Sequence, residues 1–172
     1  MLIFALILLV ITLTYAYGAK SAAPWVPMRA DDLGRVLKIL QQFPEVKKVV
    51  ELGAGDGRLL ALTAQSGYVS EGYEISLLPY VIAQVRKFKR HLNYTIHYRS
   101  FWGANLSSAN AVYFFLMPQI LEKTKAKLLS ELKPGSLVLS YTWGLPGLTP
   151  VLIDIVPERP KIFVYKVGYE GK

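Results

Sequence analysis

The octapeptide Glu51-Leu52-Gly53-Ala54-Gly55-Asp56-Gly57-Arg58 constrains this chain more than any other stretch. It joins a short β-type run, Lys48 to Leu52, to a helical segment from Arg58 to Gln65 that Gly67 ends. Its glycines permit a tight turn and let a ligand approach the backbone without a Cβ in the way. In an α/β sheet such a connection lies at the carboxyl ends of the strands, where ligands bind. The spacing separates ligand classes. A dinucleotide fingerprint would need its third glycine at position 58, where Arg58 stands, and a phosphate P-loop would need Gly-Lys followed by Ser or Thr. Glu51, two residues before the first glycine, suits a cationic or amine-bearing ligand better than a pyrophosphate.

The rest of the body alternates strand and helix. Val69 to Glu74 reads as a second strand, and Ser76 to His91 as a helix with Pro79 tolerated in its first turn. Tyr94 to Tyr98 alternates as a third strand, and Ala111 to Leu116 is a continuous apolar fourth. Pro118 to Leu132 is a helix opened by proline, followed by a strand from Ser136 to Tyr141. Val151 to Val156 and Lys161 to Val167, separated by Pro157-Glu158-Arg159-Pro160, predict a terminal antiparallel hairpin. Ahead of the glycine loop, Leu33, Val36, Leu37 and Leu40 form a stripe at helical spacing, with Asp31 or Asp32 as its N-cap and Pro44 beyond its end. The fold class is α/β, with a mostly parallel seven-stranded sheet and an antiparallel C-terminal hairpin. Glu74 ends the second strand, where a carboxylate in a Rossmann-like fold accepts hydrogen bonds from ribose hydroxyls. Together, strand, glycine loop, helix, strand and acid describe a nucleoside-binding half-site.

Charge divides the chain in two. Residues 1–19 carry none, whereas the remainder holds 20 Lys+Arg and 12 Asp+Glu, a net +8. The uncharged run would span about 28 Å as a helix, close to the roughly 30 Å of a bilayer core. Tyr15 and Tyr17 stand near its end, with Lys20 and Arg29 after it. A cleaved signal peptide would want positive charge before the apolar run, and a domain of this size seldom needs a helix apolar all round. The preferred reading is one N-terminal transmembrane helix over 1–19, a linker over 20–29 and a globular domain over 30–172. Pro24 and Pro27 keep the linker from forming a regular helix, and Trp25 lies at headgroup level or covers a pocket. The positive-inside rule places the body in the cytoplasm.

With these residues in view, the chain resembles the class I S-adenosylmethionine-dependent methyltransferases, whose first motif reads acid-x-Gly-x-Gly-x-Gly. More narrowly it is similar to the small membrane-anchored protein lysine methyltransferases that modify the ATP synthase c subunit and the adenine nucleotide translocase. That similarity rests on the anchor, Ala23-Pro24-Trp25-Val26-Pro27, the glycine loop, Gly72-Tyr73-Glu74, Phe101-Trp102 and Met117-Pro118-Gln119. It implies a Rossmann-like fold and S-adenosylmethionine as cofactor. Glu51, Gly53, Ala54, Gly55 and Gly57 would border its methionine moiety, and Glu74 its ribose. The family's acid for the adenine amine is missing after the third strand. Ser100 or a backbone group would replace it, with Phe101 or Trp102 stacking on the purine.

Past the fourth strand, Leu116-Met117-Pro118-Gln119 lacks the acid and second proline found in amide- and adenine-directed methyltransferases. The resemblance points to a lysine amine positioned by Pro118 and Gln119, on a protein substrate in or at the membrane. Tyr141 and Trp143 are candidate walls of a substrate channel. His91 and His97 have no metal-ligand spacing and read as structural; no metal site is expected. The absence of cysteine excludes thiolate chemistry and disulfides. The cations of Arg86-Lys87-Phe88-Lys89-Arg90, with Lys123, Lys125 and Lys127, suit a lipid bilayer better than nucleic acid, for which no recognition module is evident. Methylation of a lipid, quinone or other small molecule, and non-catalytic binding of S-adenosylmethionine, are the alternatives.

Overall fold

Eleven regular elements follow one another in the computed structural model, which describes residues 26–169 together with Met1, Phe4, Ala5 and Thr12. In order they are α1 (Ala30–Gln41), β1 (Lys48–Leu52), α2 (Arg58–Gln65), β2 (Val69–Glu74), α3 (Leu77–Lys89), β3 (Tyr94–Tyr98), β4 (Ala111–Phe114), α4 (Leu121–Glu131), β5 (Leu137–Tyr141), β6 (Leu152–Asp154) and β7 (Ile162–Lys166). The expected transmembrane helix and most of the linker lie outside the described residues. Among the described residues no helix is long and apolar enough to cross a membrane.

The strands form one seven-stranded sheet in the order β3-β2-β1-β4-β5-β7-β6. From β3 to β5 all neighbours are parallel, whereas β7 runs antiparallel to both β5 and β6. The order reverses direction between β1 and β4, the switch point at which open α/β sheets bind ligands. β4 and β5 are buried along their whole length, as parallel strands covered on both faces must be.

Strand alternation sorts the core into two layers. Val50, Leu52, Val112, Phe114 and Val138 face α4 through Leu121 and Leu128. Val49, Ala111, Tyr113, Leu137 and Leu139 face the other way, onto Val36, Ile39 and Leu40 of α1 and Leu59 of α2. Each fully buried aliphatic side chain contributes roughly 1.5–3 kcal/mol, so the α1 stripe is enough to seat that helix on the sheet.

Two local expectations are corrected. Neither Asp31 nor Asp32 caps α1; the N-cap is Arg29, with no side-chain hydrogen bond. Asp32 is instead buried, accepting a 2.6 Å hydrogen bond from the Tyr141 hydroxyl and a 3.0 Å bond from Arg35. Arg35 continues to the Asp154 carboxylate at 2.6 Å, tying α1 to the C-terminal strands. Burial would raise the Asp32 carboxyl, but these partners outweigh it and hold it below its usual range. Likewise, Pro118 to Leu132 is not one helix. Pro118–Ile120 form a 3₁₀ turn, whose last residue, Ile120 (φ −107°, ψ 0°), is the N-cap of α4.

Candidate active site at the switch point of the sheet

The loop after β1 is wound by its glycines. Gly53, Gly55 and Gly57 all lie in the left-handed region, at φ 76°, 54° and 72°. The Gly53 and Ala54 amides both donate to the Tyr73 carbonyl at 2.9 Å, so the loop is pinned to β2 as soon as it leaves β1. At Gly57 a Cβ would stand 2.9 Å from the Ala83 Cβ and 3.1 Å from the Tyr94 hydroxyl. Glycine is therefore required there for packing as well as for φ. Gly72, on β2, meets the loop from the other side, where a Cβ would lie 2.8 Å from the Ala54 Cβ.

Two buried acids flank this loop and differ in how they are satisfied. Glu74 uses both carboxylate oxygens: Oε2 accepts from the Gly55 amide at 2.8 Å and Oε1 from the Ser76 amide at 2.6 Å. It laces the glycine loop to the turn that opens α3, and each oxygen keeps a second lone pair for a ligand hydroxyl. Glu51, only 7% exposed, has its Oε2 buried without a hydrogen-bond partner. Desolvation, reinforced by the Asp56 and Glu74 carboxylates, pushes its carboxyl well above the usual range, against the opposing pull of the Leu60 amide and Arg58. Asp56 is held away by ion pairs with Arg58 at 3.1 Å and Arg86 at 2.9 Å.

These groups line one cavity that opens to solvent. Its floor is Glu51, Gly53, Ala54, Gly55 and Glu74, and one wall is Arg99, Ser100, Phe101 and Trp102 after β3. Tyr113 of β4 and Phe115 and Leu116 just after it close the cavity, while Val26, Pro27 and Met28 cover it from the segment before α1. The Tyr113 hydroxyl approaches the Met28 sulfur at 3.3 Å, which fixes that covering segment to the sheet. The residues have the character of small-molecule sites, largely apolar with a few polar groups aimed inward.

Most of the residues picked from sequence meet here. Gly57 stands beside this cavity, as the packing hinge of the loop. Phe101 is buried in the core beside Trp102, with ring centroids 4.6 Å apart, so Trp102 is the more available face. Lys123 stands over the Trp102 ring at 4.4 Å. Ser100 Oγ accepts the Trp102 amide at 3.3 Å and so caps its own 3₁₀ turn. Pro118 and Gln119 are exposed and do not line the cavity, which ends at Leu116 on that side. Tyr141 is no channel wall, because its hydroxyl is committed to Asp32 and its ring is buried. Trp143 is exposed and likewise outside the lining.

Sequence reasoning missed Ile75, Arg99, Tyr113 and Phe115 as lining residues. Ile75 had a signal, since it directly follows the strand-end acid; the β4 aromatics read only as core. His97 contacts Glu71 through Nε2 at 2.9 Å and stacks on Tyr73, in keeping with a structural role. Among the described residues no group of three or more His, Asp or Glu could hold a metal. Part of the basic surface is used internally. Lys127 donates to the Trp102 and Ala104 carbonyls and pairs with Glu131, and Lys125 reaches the Pro146 carbonyl and Glu122.

Comparison with known proteins agrees with this geometry. The family model described as the ANTKMT methyltransferase domain matches residues 51–152. The adenine nucleotide translocase lysine N-methyltransferase of Mus musculus is 30% identical over 151 residues, 86% of this chain and 65% of that protein. A lysine N-methyltransferase of Homo sapiens, named for the c subunit of ATP synthase, is 26% identical over 135 residues, 76% of this chain and 56% of that protein. The chain thus spans little more than half to two-thirds of these mammalian relatives. A protein-lysine N-methyltransferase of Saccharolobus islandicus (strain REY15A) is 26% identical over 152 residues, 84% of this chain and 94% of that protein. Among solved structures, an RNA methyltransferase from Salinibacter ruber in complex with S-adenosyl-L-homocysteine superposes with a TM-score of 0.78 at 22% identity, over 86% of this chain and 97% of that one. That likeness shows the Rossmann-like methyltransferase fold.

Proposed function

The chain belongs to the ANTKMT methyltransferase-domain family, and on that premise we propose that it is an S-adenosylmethionine-dependent protein-lysine N-methyltransferase acting on a membrane or membrane-associated protein. The observation that carries this reading is the pairing of a left-handed glycine loop with two buried acids, one of them with an oxygen that lacks a hydrogen-bond partner, around one cavity at the switch point.

The residues fit the cofactor. The glycine loop leaves backbone exposed where a Cβ would intrude, and the unpartnered Glu51 oxygen faces the place of the positively charged methionine end, whose charge would favour the ionised carboxylate. Glu74 retains acceptor capacity for ribose hydroxyls, and Ser100 to Trp102 would border the purine. When bound, S-adenosylmethionine supplies an electrophilic methyl on a sulfonium. The protein's part is then alignment and exclusion of water. Met28, held by Tyr113 of β4, and Phe115 just after that strand enclose the site. Gln119, on the open rim beyond Leu116, would position the incoming amine. A lysine begins near pKa ~10.4 and must arrive without its proton, which desolvation in an apolar channel favours.

The uncharged residues 1–19, followed by the cations from Lys20 onward, support a single N-terminal anchor with the catalytic domain, residues 30–172, on the cytoplasmic side. Incubating membranes with labelled S-adenosylmethionine, followed by mass spectrometry of the product, tests the reaction. Label on a protein lysine is the expected result; label confined to the lipid extract would reassign the substrate. Calorimetric titration tests the cofactor separately, with Gly55→Arg as the blocked control. Equal heats for both proteins would remove the methyltransferase reading.

A further inference from the structure

We infer that the outward face of α3 is a membrane-contacting surface that lies against an anionic lipid bilayer. The helix is apolar on both sides. Pro79 and Ala83 are its buried residues, seated towards the glycine loop and Tyr94. Opposite them Leu77, Leu78, Val81, Val85 and Phe88 are between 37% and 81% exposed. At 100° per residue these five fall within an arc of about 100°, the width of the apolar stripe that a helix normally buries. Single exposed apolar residues are ordinary on a soluble surface, but a continuous stripe marks an interaction site.

Charge around the stripe selects the occupant. Between Glu74 and Glu122 the chain contains no acid. Arg86 turns inward to Asp56, and Lys87 lies 5.8 Å from the centre of the Tyr94 ring. Lys89 and Arg90 remain exposed at the end of the stripe, beside Phe88. Leu, Val and Phe on one face with Lys and Arg at its edge are the composition of a helix lying in the plane of a membrane. Anionic headgroups attract such cations, and the attraction falls off within a Debye length. The surface therefore rests on the membrane location proposed above, but not on methyl transfer. It would set the catalytic domain at a fixed orientation to the bilayer rather than leave it swinging from its linker.

The full chain has no cysteine, so one introduced thiol reports one place. A polarity-sensitive fluorophore at Phe88→Cys is compared with one at Ala126→Cys, on the exposed face of α4 across the sheet. Both proteins are bound to phosphatidylcholine vesicles carrying a lipid-borne quencher, with or without phosphatidylserine. The expected result is quenching at 88 that exceeds that at 126 by about twofold or more in the anionic vesicles. It should fall towards the value at 126 when Val81→Asp and Val85→Asp are added, with the thermal melt unchanged. Equal quenching at the two positions would overturn the surface. So would a spectral shift at 88 that follows protein concentration in lipid-free micelles, which would assign the stripe to a second copy. Equal quenching with and without phosphatidylserine would overturn the anionic assignment. Vesicle co-sedimentation of the same proteins reports on residues 1–19 separately, so failure of the helix and failure of the anchor are distinguishable.

Discussion

The carboxyl ends of β1 and β2 and those of β4 and β5 open onto the same edge of the sheet, yet they are built on different principles. At the first pair, backbone amides are locked: Gly53 and Ala54 onto Tyr73, Gly55 and Ser76 onto Glu74. At the second, Met117, Pro118, Gln119 and Trp143 are exposed, and Thr142 stands at φ 77° with its buried hydroxyl unpartnered. A small ligand of fixed shape rewards a site assembled before it arrives, because ordering costs are then already met by folding. A macromolecular substrate that brings its own surface rewards an open rim. The difference separates a preassembled half from an open half, the one that a protein substrate would complete under the proposed function, and substitutions can test whether the two are independent.

The largest effect is expected at the rigid half. Gly57→Val places a β-branched residue at φ 72° and drives its Cβ into Ala83. Left-handed strain of about 1–3 kcal/mol and overpacking of about 1–3 kcal/mol combine to roughly 4 kcal/mol. Thermal melting should show a fall of ten degrees or so, on the order of 2–4 °C per kcal/mol for a chain of this size. Little change in the melt would mean that the loop is looser than its hydrogen bonds indicate.

Glu74→Gln comes next. The substitution keeps the shape but replaces a carboxylate accepting two amides with a group that must present an NH₂ to one of them. Losing one charge-assisted hydrogen bond costs about 1.5–3 kcal/mol. Affinity for S-adenosylmethionine should fall by about tenfold or more, as read by calorimetry. Unchanged affinity would break the link between loop order and binding.

These first two positions were legible in the sequence, and the reason is locality. Glycine spacing, strand periodicity and a strand-end acid are all set within a few residues, so the element order and the antiparallel end of the sheet could be read directly. What was not legible depends on partners far along the chain. Asp32 looks like a helix cap because Ser, Asp and Asn cap helices; only folding brings Tyr141, on the fifth strand, to its carboxylate. Tyr141 reads as a channel wall for the same reason. Val26 to Met28 read as linker, although their place is over the cavity. Nor does periodicity distinguish the two apolar faces of α3, one seated on the sheet and one exposed.

Glu51→Gln should have a smaller effect on stability, and of opposite sign. Burial raises the native carboxyl well above the ordinary carboxylate range, so it keeps its proton to higher pH than in the unfolded chain. Between the unfolded value and the raised native one, the native state therefore binds more protons, and wild-type stability falls as pH rises through that window. Glutamine does not titrate. The variant should match wild type at about pH 4 and become the more stable of the two as pH rises to neutrality, in parallel melts. Binding should respond in the other direction. A cationic ligand end favours ionised Glu51, so wild-type affinity rises with pH while the variant's is weaker and flat. A variant less stable than wild type at neutral pH would show that the buried carboxylate is paired after all.

The smallest effect on folding is expected on the open rim. Gln119 is exposed in the 3₁₀ turn after β4 and lies outside the cavity lining, so Gln119→Ala should alter stability by less than about 0.5 kcal/mol. Affinity for S-adenosylmethionine should not change, because no wall of that cavity is removed. If Gln119 positions the substrate amine, the loss appears only in turnover, as a roughly tenfold fall in kcat, equivalent to about 1.4 kcal/mol at the transition state. A raised KM with kcat preserved would instead make Gln119 a docking contact for the protein substrate, still on the open half. Weakened cofactor binding is the outcome that would sink the division, since it would mean that the turn after β4 is coupled to the glycine loop and that the rim is part of the preassembled site.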